Sequence, residues 1–557
     1  MRFEVGGRAI LLIAVCALLA CGEGDAPETA GQGGTAAEVS EVDATSKDLE
    51  GAAAEVETTS AQREVNVSAS ADDAGDEEEI PVPLFPRGLV TEEAGVSAGY
   101  VLFNPLLSDT TYLVDNGGRV VHRWKSKYSP GGGLYLLPSG NLLRPGRDPE
   151  RLMFRSGGTG GILQEIDWES NVVWEWQFSD DTRVQHHDLQ PLENGNVLVL
   201  AWEVKSSEEA QRVGRRADQI PEQGLWPDWV LEIEPIRPGD AKIVWEWHSW
   251  DHLIQDVDPS AENYGDLADH PKRIDINAGS DAPAIGADEL AQLQALGYVP
   301  EDATTDDLES DFLHTNALSY NARLDQIALS IPVLGEIWII DHATTTAQAR
   351  GPRGDLLYRW GNPSAYGRSD EADKRFFYQH DVRWIPDRWE GGGNLMVFNN
   401  GDGRAEVSFS SIDEWTPSLT AEGGYAQGEA APFGPSELAW QYTASEPSEF
   451  FSPFISGAQR LENGNTMICS GVAGRLFEVT RSGEIVWEYR NPFSGNVRNS
   501  DGSAPQPGLD ERPYAVFRAT RIPADHPGLA NRKLEALDPQ PEWFDFAARA
   551  SVDSKQP

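Results

Sequence analysis

The chain runs to 557 residues, with 44 Lys and Arg against 90 Asp and Glu and a formal charge of −46. That excess excludes a general electrostatic attraction to nucleic acid or to an anionic bilayer, although not a small basic pocket inside an acidic shell. The 18 Trp and 54 Gly point to a β-rich chain with many turns, and the three Cys are too few for a disulfide scaffold or a thiolate metal site.

Arg2 and Arg8 precede an apolar run from Ala9 to Ala20. The run is too short to span a bilayer as a helix and fits the apolar part of a secretory signal. Leu18-Leu19-Ala20-Cys21 resembles a bacterial lipobox. The resemblance implies a signal peptide over 1–20, cleavage before Cys21, and diacylglycerol on its sulfur. The membrane would then be met only through that lipid; a plain signal peptide with an incidental Cys is the alternative. In the lipoprotein reading Cys16 is lost and Cys469 has no disulfide partner. Gly22-Glu23-Gly24 lacks the aspartate that retains many lipoproteins in the inner membrane. This favours an exported lipoprotein on the periplasmic side of the outer membrane or on the cell surface.

Residues 22–80 hold 17 Asp and Glu against Lys47 and Arg63, with no aromatic residue. Such a segment cannot bury enough apolar area to offset its ordering entropy. It reads as a disordered, self-repelling acidic tether over 21–85, with Pro81, Pro83 and Pro86 marking the passage into the folded part.

From there the chain repeats. One phrase recurs as RVVHRW (119–124), NVVWEWQF (171–178), KIVWEWHSW (242–250), LLYRWGNP (356–363), ELAWQYTA (437–444) and EIVWEYRNP (484–492). Each is a strand signature rich in Val, Ile and Trp, preceded by another short strand and followed by two strands around a Gly-Asn-type turn. The units predict an all-β fold, a six-bladed β-propeller of four-stranded antiparallel blades over 95–530. The N-terminal part starts at a second strand, YVLFNP (100–105), and the C-terminal part ends with a spare first strand, AVFRATRIP (515–523). Joining them in one blade closes the ring without an exposed edge. An acidic insertion over about 248–310, with a short amphipathic helix in 286–298, is expected as a lid or flank over one mouth, disorder being the alternative. Residues 531–557 form a C-terminal tail. The recurring Trp serves packing between sheets, because what every blade carries is what every blade needs.

Sites break the repeat. Aligning the first strands on Leu137, Leu192, Tyr320, Ile385, Leu461 and Ile522 places Gly132, His187, Thr315, His380, Ser456 and Phe517 five residues earlier. Six residues earlier stand Gly131, His186, His314, Gln379, Ile455 and Val516. First strands line the channel of a propeller, so His186, His187, His314 and His380 are expected at one level of one channel. Asn316, two residues after His314, shares its face. Alternation along the strand is expected to turn Asp188 and Asp381 away from the channel.

The HHD and HTN starts of consecutive first strands, and QHD followed by FNNGDGR (398–404), resemble the bacterial arylsulfate sulfotransferases. HTNALSYNARLDQIALS, EIWIIDHATTTA and LLYRWGNPSAYG carry the same resemblance, which covers about residues 95–530. It implies transfer of a sulfuryl group between phenols without 3′-phosphoadenylyl sulfate, through a sulfohistidine. It matches His380 to the nucleophile, and His186 or His187, with His314, to the charge-stabilising histidines. A neutral imidazole suits that role chemically, and positioned donors suit the charge that develops on the sulfuryl oxygens. The chain departs from the family where an Arg is expected in a Ser-Val-Arg-like triplet, because here the triplet is Ser330-Ile331-Pro332. Arg518 and Arg404 are the candidates to supply the missing charge.

The implied partners are a small aryl sulfate and a phenol, with no cofactor, no resident metal and no nucleic acid. Oligomeric state is left open, a homodimer being one arrangement the sequence allows. Two other readings stand beside the transferase: a non-catalytic propeller that binds a ligand or partner, and a hydrolase or lyase that holds a metal on the histidines.

Overall fold

The computed structural model describes residues 86–543 apart from 151–152, 280–285, 296–297, 301, 422 and 495–513. The expected signal peptide, the lipidated Cys21 and the acidic tether over 21–85 lie outside the described residues, as does the tail beyond residue 543.

Six antiparallel sheets form the blades. From the innermost strand outward, blade one is Val516–Pro523, Gly99–Pro105, Thr110–Val114 and Val120–Lys125, and blade two is Tyr135–Leu136, Leu142–Arg147, Gly161–Ile166 and Val172–Gln177. Blade three is Arg183–Pro191, Val197–Glu203, Asp228–Ile236 and Asp240–His248; blade four is Ala317–Asn321, Gln326–Ile331, Glu336–Asp341 and Tyr358–Trp360. Blade five is His380–Trp384, Leu395–Asn399, Ser411–Trp415 and Trp440–Tyr442; blade six is Gly457–Arg460, Thr466–Ser470, Arg475–Val479 and Ile485–Arg490. Closure is as expected, with Gly99 opposite Pro523 and Phe103 opposite Ala519 in blade one. The two termini therefore hold the ring shut through main-chain bonds.

One strand was not foreseen. Gly88–Glu92 adds to the outer edge of blade six, with Gly88 opposite Arg490 and Glu92 opposite Trp487. It covers an edge that would otherwise present unpaired N–H and C=O groups.

The recurring Trp works between blades as well as within them. Trp174 of blade two donates its indole N–H to the Asp240 carbonyl of blade three at 2.9 Å. Trp360 of blade four donates to Pro435 in blade five, Trp440 of blade five to Arg481 in blade six, and Trp487 of blade six to Asn116 in blade one. Trp247 of blade three likewise donates to the Gly354 carbonyl in blade four, so that, between blades one and two excepted, burying a large ring while satisfying its one donor on the neighbouring sheet joins each blade to the next.

The insertion carries helices Ala287–Ala295 and Thr305–Ser310, the second begun by a capping box between Thr304 and Asp307. Tyr298, Val299, Ala303 and Leu308 pack against Leu106, Ile455, Ala515 and Phe517 of the propeller. Arg155, between the second and third strands of blade two, pairs with Asp302 at 3.2 Å.

Candidate active site

The inner strands do not enter the ring as regular β-structure. His187, His314, Tyr378, Asp381, Ile455 and Ser456 all have positive φ, between 48° and 87°. For residues with a Cβ this region is sparsely populated and costs free energy, so a cluster of such residues marks a functional site. Blade three has a bulge here: Leu189 faces Val199 and Gln185 faces Ala201, leaving more residues on the inner strand than on its partner. Alternation fails at the bulge, so the expectation for Asp188 and Asp381 is corrected. Both carboxylates reach Arg518 of blade one, at 2.9 Å from Asp188 and 3.0 Å from Asp381. These residues belong to the inner strands of blades one, three and five, so their side chains meet across the axis.

Above this axial group the imidazoles converge. His186 and His187 touch through their Nδ1 atoms at 2.9 Å. The His187 ring lies edge-on to His314, with centroids 4.4 Å apart. His187 Nε2 meets the Tyr298 hydroxyl of the insertion at 3.1 Å. His186 Nε2 lies 3.2 Å from Asp228 Oδ1, and its ring stacks on Trp202 at 4.0 Å. One tautomer assignment fits the bonds that His187 makes to Tyr298 and to His186. Tyr298 O–H donates to His187 Nε2, His187 Nδ1–H donates to His186 Nδ1, and His186 Nε2–H faces Asp228. The Thr315 hydroxyl donates to the other oxygen of Asp228. Blade two makes room with glycine. A Cβ on Gly158 would lie 2.2 Å from His187 Nε2, and one on Gly157 would lie 2.0 Å from the Tyr298 ring.

His380 is held separately. Its Nδ1 lies 2.9 Å from both the Tyr378 carbonyl and Asn400 Oδ1, which fixes the proton on Nδ1 and leaves a lone pair on Nε2. The Ile455 N–H caps that lone pair at 3.2 Å, toward the long end for such a bond. Asn400 also donates to the carbonyls of Ser452 and Ile455, so one side chain positions both the ring and its cap. Asn316 lies alongside, donating to the Gln379 carbonyl at 2.8 Å.

Environment separates the three imidazoles. Burial, opposed by the bond to Asn400 and reinforced by His314, lowers the His380 pKa to about 4. Burial, with His314, His186, His380 and Arg518 adding to it, holds His187 well below its ordinary value. Burial also works against charge on His314, but Asp311, through its charge and its hydrogen bond, outweighs it together with Asp228. The net shift on His314 is upward. Two neutral imidazoles thus face one that favours the charged form.

Arg518 is committed to Asp188 and Asp381; Asp188 also accepts from the Tyr135 hydroxyl and the Leu189 and Leu318 main-chain N–H groups, and Asp381 from Arg383 and the Ala458 N–H. Arg404 lies on the loop between the second and third strands of blade five, donating to the Phe409 carbonyl and Ser411 and stacking on Phe377 and Phe409. Pro332 directly follows the second strand of blade four. Arg147 ends the second strand of blade two; burial pushes its pKa down to about 10, and its charge acts on Tyr298. Sequence reasoning missed Tyr298, Asp228, Asp311 and Arg147. Of these, only Asp311 had a local signal, three residues before His314. Among the described residues no three His, Cys, Asp or Glu side chains converge as a metal site.

A six-bladed propeller closed by strands from its two ends, with the histidines of blades three, four and five gathered around its channel, defines the class. The arylsulfotransferase (ASST) family model matches residues 108–494, well over half of the chain. The chain belongs to that family. It is similar to arylsulfate sulfotransferase AssT of Escherichia coli O6:H1, 23% identical over 418 residues that make up 70% of this chain and 61% of that protein. The match thus spans less than two thirds of the relative. Among solved structures, it is similar to the periplasmic gluconolactonase PpgL of Pseudomonas aeruginosa, with a TM-score of 0.35 at 11% identity over 72% of this chain and 87% of that one. A protein of unknown function from Bacteroides caccae gives a TM-score of 0.38 at 9% identity over 76% of this chain and 99% of that one.

Proposed function

We propose that the chain is an arylsulfate sulfotransferase that works by way of a sulfohistidine on His380, without 3′-phosphoadenylyl sulfate. The observation that carries this reading is the fixed tautomer of His380. Its proton is held on Nδ1 by Tyr378 and Asn400, and burial keeps the ring neutral, so Nε2 presents a lone pair at neutral pH.

In the first half-reaction Nε2 displaces the Ile455 N–H and attacks the sulfur of an aryl sulfate. The N–S bond forms, the S–O(aryl) bond breaks, and a phenoxide leaves. His314, held toward its charged form by Asp311, stabilises the sulfuryl oxygens. In the second half a phenol takes the place of the departed phenoxide and attacks the same sulfur; the S–O bond forms, the N–S bond breaks with its electron pair returning to His380 Nε2, and the new aryl sulfate leaves. The proton of the attacking phenol passes to His187 Nε2, backed by His186 and Asp228, and is later returned to a leaving phenoxide or to water. The charge that the resemblance leads one to expect from an Arg, where this chain has Pro332, is supplied in this reading by His314 and Arg147. In the same reading the N-terminal segment exports the enzyme as a lipoprotein that works outside the cytoplasm.

Initial rates with 4-nitrophenyl sulfate as donor and phenol as acceptor test this. Parallel double-reciprocal lines are expected for the native protein, and loss of transfer for His380→Ala. Intersecting lines, or undiminished transfer by His380→Ala, would contradict it.

A further inference from the structure

The insertion places a phenol of its own where the reaction needs one. Tyr298 is 5% exposed, and its hydroxyl lies 3.1 Å from His187 Nε2, the lone pair offered to a phenolic substrate. The contact continues a line of groups through His186, which bonds to His187 and lies 3.2 Å from Asp228. Its ring fills the space left by Gly157 and sits 6.0 Å from Phe454, beside the Ile455 N–H that caps His380 Nε2. Both reactive nitrogens are therefore occupied, one by a side chain of the insertion and one by a loop packed against it in the same apolar cluster.

Resting on the sulfuryl-transfer reading above, we infer that Tyr298 occupies the subsite for the substrate's phenolic oxygen and competes with both substrates for it. In-line displacement uses one oxygen position twice, for the leaving phenoxide and then for the attacking phenol. A tethered phenol there raises KM for donor and acceptor together. The insertion thereby selects for aryl groups that bind well enough to displace Tyr298. Around Tyr298 the segment is held by an apolar cluster and by the Arg155–Asp302 pair, an ion pair of the kind that contributes little to stability, while nearer its end Gln223 bonds Asp307 and the Trp226 N–H bonds the Ser310 carbonyl.

The test uses full-length protein, native, Tyr298→Phe and Tyr298→Ala, with 4-nitrophenyl sulfate as donor and phenol as acceptor. Removing one hydrogen bond corresponds to about a 3–10-fold change in equilibrium, so Tyr298→Phe should lower KM for both substrates by that factor. Tyr298→Ala should lower both further, with kcat within about twofold in each variant. Unchanged KM values, or a fall in kcat at constant KM, overturn the inference, the second by making Tyr298 a participant in the chemistry. Calorimetric titration of the unreacted proteins with 4-nitrophenol decides independently of turnover. Tighter binding by both variants supports the inference even if no transfer is found. Equal or weaker binding by both, or no binding by any of the three, overturns it.

Discussion

One aligned position of the inner strands holds His187 in blade three and His380 in blade five, with Thr315 in blade four directly after His314, whereas in blades two, six and one it holds Gly132, Ser456 and Phe517. The second half of the ring is shaped around the first. Gly132, at φ 144°, would put a Cβ 1.8 Å from the His187 carbonyl oxygen, and the Gly133 N–H donates to that carbonyl at 2.8 Å. Ser456 bonds the loop that caps His380, and the Phe517 ring stands 6.1 Å from His187. One repeated position therefore supplies chemistry on one side of the axis and space and walls on the other. A repeat fixes where side chains go, and departures from it decide what they do.

The comparison breaks most sharply at His380. His380→Ala should cost about 10³-fold or more in transfer while leaving the fold intact; Ser456→Ala, at the same level of blade six, should cost less than about tenfold. Initial rates, with circular dichroism of both variants, check this.

The axial group comes next. Arg518→Met would leave Asp188 buried without its cation, and Asp381 with Arg383 alone, which for a buried pair costs about 3–5 kcal/mol. Denaturant unfolding should show that loss; a loss below about 1 kcal/mol would mean that the carboxylates find other partners.

The pH response divides the histidines in sign. His380 has its folded pKa lowered to about 4, from 6.5, so the unfolded chain takes up a proton in that window and the folded one does not. Stability falls as pH drops from 6.5 to 4, by on the order of 3 kcal/mol from this group, and the slope should flatten in His380→Asn. His314 behaves oppositely. Its raised pKa stabilises the fold fully below 6.5, and the contribution fades as pH rises through the folded value. Transfer should accordingly show an acid limb as His380 gains a proton and an alkaline limb as His314 loses one. Asp311→Asn should move the alkaline limb to lower pH; a pH–rate profile unchanged by that variant would break the assignment.

The smallest effect belongs to the repeat itself. Trp174→Phe removes the bond to Asp240 and should cost about 1 kcal/mol by thermal unfolding, with unaltered transfer.

The blades, the closing strand pair and the level of the histidines were legible because they rest on periodicity. Alternating Val, Ile and Trp fixes strands, and a common register fixes height in the channel. Gly88–Glu92 was not legible, because its pairing partner lies some 400 residues along the chain and five residues carry little pattern of their own. The direction of Asp188 and Asp381 was misjudged because positive φ at His187 and Asp381 cancels the two-residue period. Tyr298 stayed hidden for a third reason. Its partner His187 is 111 residues away, and nothing in the insertion repeats.

The most direct measurement is mass spectrometry of the protein quenched, without acid, shortly after mixing with 4-nitrophenyl sulfate and no acceptor. The peptide containing His380 should gain one sulfuryl group, in step with the first turnover of 4-nitrophenol, and lose it when phenol is added. Release of 4-nitrophenol with no adduct, or with the adduct on another residue, would contradict nucleophilic catalysis by His380.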